Sequence, residues 1–227
     1  MAFSEALNED LPEGFTWIAG HQTAGRGQRG NTWNAEPNQN LTLSILLRPD
    51  HQLVDKQFYL SKAIANGILA GLVDWSRATQ GESFNFEIKW PNDIYLDGVK
   101  MGGILIENNF QAGQWSFSII GIGLNINQKH FENIRGTSLR SYLQLNQEIP
   151  LTEIYTYLSV GIEESYTLFT SEQFGKIDEI YHERLFRRSE WALYEAENVQ
   201  FEGKIRGVNE QGLLEIEKEF TVESYDL

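Results

Sequence analysis

The sequence predicts an α+β fold: a mixed or antiparallel β-sheet carrying one long helix, followed by a small β domain. Three patterns predict it. Apolar or alternating runs at 15–20, 41–48, 84–89, 94–107 and 115–123 are separated by turn residues and read as strands. Between the second and third run the apolar period changes from two to that of a helix. After Trp191 the runs shorten and turn signals crowd together, which marks a second β unit. A helix inserted among hairpin strands is the order of an α+β domain.

Each element has its own signal. Residues 15–20 form a short apolar strand that leads into a Gly-rich segment at 25–30. Residues 41–48 (LTLSILLR) are a strand closed by Pro49. Leu60, Ile64, Ile68, Leu72 and Trp75 recur at helical spacing, so 53–78 reads as one amphipathic helix. In 84–89, Phe84, Phe86 and Ile88 face one way and Asn85, Glu87 and Lys89 the other. Residues 94–96 and 99–107 form a hairpin about Asp97-Gly98; a turn at 111–113 then leads to the strand at 115–123. Leu151–Thr170 and 171–186 predict two further helices. Val199–Val208, 212–216 and 220–225 predict short strands, with turns at 209–211 and 217–219. The expected division is 1–187 and 188–227.

Composition bounds the chemistry. The absence of cysteine excludes disulfides, Cys-ligated zinc and a thiol nucleophile. A net charge of −14 argues against gripping a phosphate backbone, so nucleic acid is not an expected partner. It also means that any anionic substrate needs locally concentrated cations. The acidic N-terminus has no apolar core of the signal-peptide kind, and no run approaches the ~18 apolar residues that span a bilayer. The expectation is a cytoplasmic protein with no membrane partner.

Four segments carry chemistry. Gly25-Arg26-Gly27-Gln28-Arg29-Gly30 fits G-x-G-x-x-G, with Asp50 twenty residues on. A dinucleotide site needs a helix to open inside the glycine run. Here turn residues and then a strand follow, so that reading fails. What remains is a surface hairpin loop or an anion-closing loop, with glycines for close backbone approach and arginines as rigid donor forks. Lys89-Trp90-Pro91-Asn92-Asp93 ends a strand in a tight turn, with Lys89 on the polar face. Gly102-Gly103 and Gly121-Ile122-Gly123 remove side chains at similar places in two neighbouring strands. That leaves either a slot or tight packing under the helix. Asn125 and Asn127 then alternate with apolar residues, and their amides suit a base edge or a turn cap.

GRGQRGNTW, KWPNDIY, GGILIE and GIGLNIN, in this order, resemble the biotin protein ligase family. The resemblance implies a catalytic domain whose mixed sheet is similar to class II aminoacyl-tRNA synthetases, with an SH3-like C-terminal barrel. It implies ATP, biotin and Mg²⁺, and a biotin carboxyl carrier protein whose lysine accepts biotin. Carried over by position, Lys89 and Arg26 are the catalytic candidates. Lys89 would touch the biotin carboxyl oxygen and the α-phosphate. Arg26 and Arg29, on a loop freed by Gly25, Gly27 and Gly30, would meet phosphate or carboxylate. Gln22 would meet the biotin end and Trp33 would flank the adenylate. Gly102 and Gly103 would line the biotin site, Gly103 through its backbone; Gly123 would keep the slot open and Asn125 would meet adenine. No metal ligand is assigned.

The sequence departs from the family at Gln28, where an arginine is usual. The family's Ser-Thr-Asn motif would lie ahead of the first residues, which predicts weak biotin binding, and the C-terminus would leave the barrel a strand short. No N-terminal winged helix is expected, which predicts a ligase without a repressor role. Family members are often dimers through sheet edges, so a monomer or homodimer is expected, with 41–48 as a candidate edge. Two other readings stay open: a lipoate or octanoate ligase of related fold, and an inactive biotin-binding module.

Overall fold

The computed structural model describes residues 1–131, 136–196, 198–219 and 221–226. The main elements run α1 (Ala2–Asn8), β1 (Thr16–Ile18), β2 (Asn40–Leu47), α2 (Gln57–Gln80), β3 (Phe86–Lys89), β4 (Asp93–Leu96), β5 (Val99–Gln111) and β6 (Gln114–Asn125). They continue through α3 (Leu139–Tyr142), α4 (Leu151–Thr170), α5 (Phe174–Glu183), β7 (Trp191–Ala196), β8 (Val199–Val208), β9 (Leu214–Glu217) and β10 (Val222–Tyr225). The first six strands form one sheet in the order β1-β2-β6-β5-β4-β3, and the last four form a second in the order β10-β9-β8-β7. Every pair of named strands is antiparallel. Parallel pairing among the described residues is confined to isolated bridges such as Ile88 with Leu185 and Lys100 with Gly136.

Alternation gives the large sheet two unlike faces. Leu41, Leu43, Ile45 and Leu47 of β2 join Ile120, Ile122 and Leu124 of β6 on the face that α2 covers with Leu60, Ile64, Ile68 and Leu72. Helix α4 lies on α2 at backbone contact: a Cβ on Gly67 would stand 2.6 Å from the Gly161 carbonyl oxygen. On the opposite face Leu46, Phe117 and Ile119 make a small separate core with Ala6 of α1. Trp17 donates its indole N–H to Glu5 at 2.7 Å and ties β1 to that helix. Among the described residues the rest of this face carries no covering α-helix.

The second sheet docks on the first unit. Ile205, Val208, Leu214 and Ile216 belong to the main core. Lys62, fully buried on α2, donates to Asp178 of α5 at 2.5 Å and to the carbonyls of Val208 and Asn209 at 2.7 and 3.3 Å. Burial pulls its ammonium pKa down, against the opposing pull of Asp178. His182 accepts from the Val208 N–H at 2.9 Å. Burial, then the nearby Lys62 charge, holds its imidazole below the usual range.

Several boundaries differ from the sequence reading. The strand expected at 15–20 pairs only over Thr16–Ile18. The helix expected from 53 begins at Gln57, after a 3₁₀ segment at His51–Lys56. The expected helix 171–186 shortens to α5. The strand read at 212–216 forms as β9, and that read at 220–225 forms over β10, with position 220 outside the described residues. Helices α1 and α3 and strand β7 are additions. Strand β2 lies between β1 and β6, so 41–48 is an interior strand and not a free edge.

Candidate active site

One row of residues crosses the open face. Lys89 pairs with Asp93, Asp93 with Gly103, Gly103 with Gly123, and Gly123 with Thr42. Directly opposed residues share a face. With strands about 4.8 Å apart, the Lys89 backbone stands roughly 10 Å from that of Gly103. Motifs remote in sequence thus share one line because of register. Gly123 is the floor for Trp33: a Cβ there would stand 2.6 Å from the indole Cε2. Gly103 leaves open space, with Asp93 Oδ1 the nearest atom at 3.5 Å. Gly102 points the other way, where a Cβ would meet the Gly123 carbonyl at 2.4 Å. Its glycine serves packing on the α2 side, while Gly103 borders the slot.

The Lys89–Asp93 turn has a job for each of its polar residues. Lys89 Nζ donates to the Tyr95 phenol oxygen at 3.2 Å and lies 5.3 Å from that ring's centroid. Trp90 donates to the Gly212 carbonyl at 2.9 Å, which joins the turn to the second sheet. Asn92 donates to the Ile104 carbonyl at 2.7 Å and accepts the Ile104 N–H on its own carbonyl at 2.9 Å, clamping the turn beside Gly103. Asp93 holds Lys100 Nζ at 2.5 Å. Lys100 is a second cation at the slot that the motif reading does not single out. Its signal is positional: it lies three residues before Gly103, just after the Asp97-Gly98 turn. Glu87, on the same face of β3, has its carboxyl raised by burial, with hydrogen bonds from Gly98 and Asn85 pulling back.

The Gly-rich segment is a hairpin. Arg26 and Thr32 form a bridge. Trp33 N–H donates to Gly25 at 2.9 Å and Gly27 N–H to Asn31 at 2.7 Å. The turn Gln28–Gly30 holds Arg29 and Gly30 at φ 55° and 78°. Gln22 folds against Gly25, whose missing Cβ would meet Gln22 Oε1 at 2.9 Å and the Trp33 carbonyl at 2.3 Å. Arg26, 65% exposed, pairs with Glu107 of β5 at 2.7 Å. Glu107 lies four residues beyond Gly103 on the same face, about 13 Å along the strand. Arg26 and Lys89 therefore share the open face without converging.

At the other end of the slot Asn125 follows Gly123 on the same face. It is 7% exposed, and its side chain makes no hydrogen bond among the described residues. The Trp33 indole N–H is buried without a partner among the described residues. Asn127 takes the turn-capping role instead, donating to the Ile149 carbonyl at 2.9 Å and accepting the Ile149 N–H at 2.8 Å. Asn40 and Gln128 hold the chain after Trp33: Gln128 accepts from Asn40 at 2.6 Å and from the Glu36 N–H at 3.1 Å. A cleft of about 400 Å³ beside Trp75, Gln80 and Glu153 belongs to the α2 side and not to this row. Among the described residues no three His, Asp or Glu side chains converge as a protein-held metal requires.

Residues 2–125, which contain the whole row, match the Biotin/lipoate A/B protein ligase family. The chain belongs to that family. Among relatives in this biotin/lipoate ligase family, the bifunctional ligase/repressor BirA of Bacillus subtilis is 26% identical over 94% of this chain. The chain spans 64% of that relative's length. The biotin–[acetyl-CoA-carboxylase] ligase of Mycobacterium tuberculosis is 34% identical over 51% of this chain and 41% of its own length. In fold, the chain is similar to biotin protein ligase from Aquifex aeolicus in complex with biotin and ATP. The TM-score is 0.77 and the identity 24%, over 97% of this chain and 90% of that one.

Proposed function

We propose that this chain activates biotin with ATP to biotinyl-5'-AMP and transfers the biotinyl group to a lysine of a biotin carboxyl carrier protein. The observation that carries the reading is the row from Lys89 through Asp93 and Gly103 to Gly123, with Trp33 lying over its end. The row joins an ammonium, an open glycine floor and an aromatic wall, as an acyl chain meeting a nucleotide requires. Relatives named as biotin ligases, and fold neighbours solved with biotin and ATP or with biotinyl-5-AMP, support it.

In the first step the biotin carboxylate attacks the α-phosphorus; a P–O bond forms and pyrophosphate leaves. In the second the carrier amine attacks the mixed anhydride carbonyl, AMP leaves and the amine gives up a proton. The barrier in the first step is the meeting of two anions, which preorganised cations lower. Lys89 supplies one; Lys100, beside Gly103, must leave Asp93 to supply a second. Gly103 offers its backbone to biotin, Asn125 its unpartnered amide to adenine, and Trp33 its ring to the adenylate. Gln22, Gly25, Gly27, Arg29 and Gly30 belong to the loop that closes over the ligand, and Arg26 must leave Glu107 to take part. Gly102 contributes by letting β5 and β6 approach.

Mg²⁺ fits as an ion delivered on the ATP phosphates, and no residue is assigned to it. The same reading places the chain in the cytoplasm as a monomer or homodimer, with no nucleic-acid or membrane partner. It divides the chain into a catalytic unit at 1–187 and an SH3-like unit at 188–227. The test is ATP-dependent labelling of a carrier fragment with biotin and, in parallel, with lipoate. Labelling by biotin is the expected result; labelling by lipoate alone, or by neither, overturns the reading.

A further inference from the structure

Of the three cations Lys89, Lys100 and Arg26 on the open face, Lys89 has no acidic partner among the described residues. Lys100 is paired with Asp93 and Arg26 with Glu107. Lys89 rests instead on the phenol of Tyr95, an uncharged acceptor, at 3.2 Å, with the ring face 5.3 Å away. The difference has chemical consequences. A carboxylate at this distance would hold the ammonium and also cancel its field; a phenol holds it and leaves the charge available. A lysine side chain otherwise carries much rotamer entropy, which would be lost at each binding event.

The phenol is itself fixed. Its ring lies against Phe186, with centroids 4.9 Å apart and planes inclined at 34°. Phe186 N–H donates to the Ile88 carbonyl at 2.9 Å, and Ile88 N–H donates to the Arg184 carbonyl at 2.8 Å. The ring that backs Tyr95 is thereby bonded to the strand that ends in Lys89. On its own row Tyr95 stands between Glu87 and Lys100.

We propose that Tyr95 is a positioning residue of the ligase reaction: it presents the Lys89 ammonium to the slot without neutralising it, and Phe186 holds the phenol in place. The proposal rests on the reading of Lys89 as a group that meets the reacting carboxylate and phosphate.

The experiment is a double-mutant cycle on the full chain, read by biotin-dependent pyrophosphate exchange, with Tyr95→Phe, Lys89→Ala and the double variant. Tyr95→Phe keeps the ring and the Phe186 contact and loses only the oxygen. The expected result is a roughly threefold to tenfold fall in kcat and in kcat/KM together, with KM for biotin little changed. In the Lys89→Ala background Tyr95→Phe is expected to add nothing. Phe186→Leu is expected to slow exchange in the wild-type background and not in the Tyr95→Phe background. A Tyr95→Phe loss that persists in full without Lys89, or no loss at all, overturns the positioning role and leaves the Lys89 reading standing. Wild-type exchange in Lys89→Ala overturns the Lys89 reading and the positioning role with it.

Discussion

Gly123 and Gly103 face each other across β5 and β6 on the open face, yet a methyl group at each is expected to do different damage. At Gly123 the added Cβ would stand 2.6 Å from the Trp33 ring, about 1 Å inside ordinary carbon contact. Either the sheet strains or the indole lifts. Overpacking of a fixed core costs about 1–3 kcal/mol. The cost here is capped by what it takes to raise a hairpin loop off the sheet, so the indole moves. Gly123→Ala is expected to lower stability by about 1–2 kcal/mol, a Tm shift of roughly 2–8 °C for a chain of this size. At Gly103 the nearest atom is at 3.5 Å, an ordinary contact, so Gly103→Ala is expected to stay within about 0.5 kcal/mol of wild type. Its methyl enters the slot, and pyrophosphate exchange is expected to fall while the melting curve does not move. The assays are thermal melts, exchange kinetics and the indole N–H resonance of Trp33, assigned with Trp33→Phe. An unmoved Trp33 resonance in Gly123→Ala would show that the ring does not lie on that glycine. Full exchange by Gly103→Ala would remove Gly103 from the slot.

Three further outcomes follow from contacts elsewhere. Glu107→Gln frees Arg26 from an exposed pair, so stability is expected to change by less than about 1 kcal/mol, while KM for ATP falls; an unchanged or higher KM counts against release of Arg26 as a step in closure. His182 has its pKa lowered in the folded state, so below the ordinary value of about 6.5 the unfolded chain takes up a proton that the folded chain refuses. Stability therefore rises with pH through the window below 6.5 and is lost on acidification; urea midpoints at pH 7.5 and 5.5 should show a smaller difference in His182→Gln than in wild type. Lys62→Met leaves Asp178 with Tyr59 as its remaining donor and takes the ammonium from the Val208 and Asn209 carbonyls, an expected loss of about 3 kcal/mol in urea unfolding; a loss under about 1 kcal/mol would mean that the Lys62 ammonium is not what holds the second sheet.

The parts of the site legible in the sequence were those in which one residue type implies one geometry. The polar-face position of Lys89 followed from the alternation of Phe84, Phe86 and Ile88. The glycines in adjacent strands left open a slot or tight packing under the helix; Gly103 has open space above it, and Gly102 packs against Gly123 and Leu124. What could not be read was parity and register. Adjacent residues in a strand face opposite ways, and only the pairing of Gly103 with both Asp93 and Gly123 decides that Gly103 faces the slot and Gly102 the helix. Lys100 was hidden for the same reason, since its partner Asp93 belongs to the neighbouring strand. Helix α1 is seven residues long with no side-chain cap. It exists because Phe117 and Ile119 wait beneath it, and nothing local says so. Strand β7 was missed because Trp191 and Leu193 point outward, the reverse of the usual alternation signal.

The chain also stoppers one border of its own large sheet. Ile88, on the outermost strand β3, spends both outward backbone groups on Arg184 and Phe186 of the passage between the two sheets. A foreign strand arriving there would have to strip that segment away first, and with it the ring behind Tyr95. The opposite border, β1, offers only three residues. Templated stacking of one molecule on the next therefore meets an occupied rim on one side and a very short one on the other, a built-in guard against fibrous self-association.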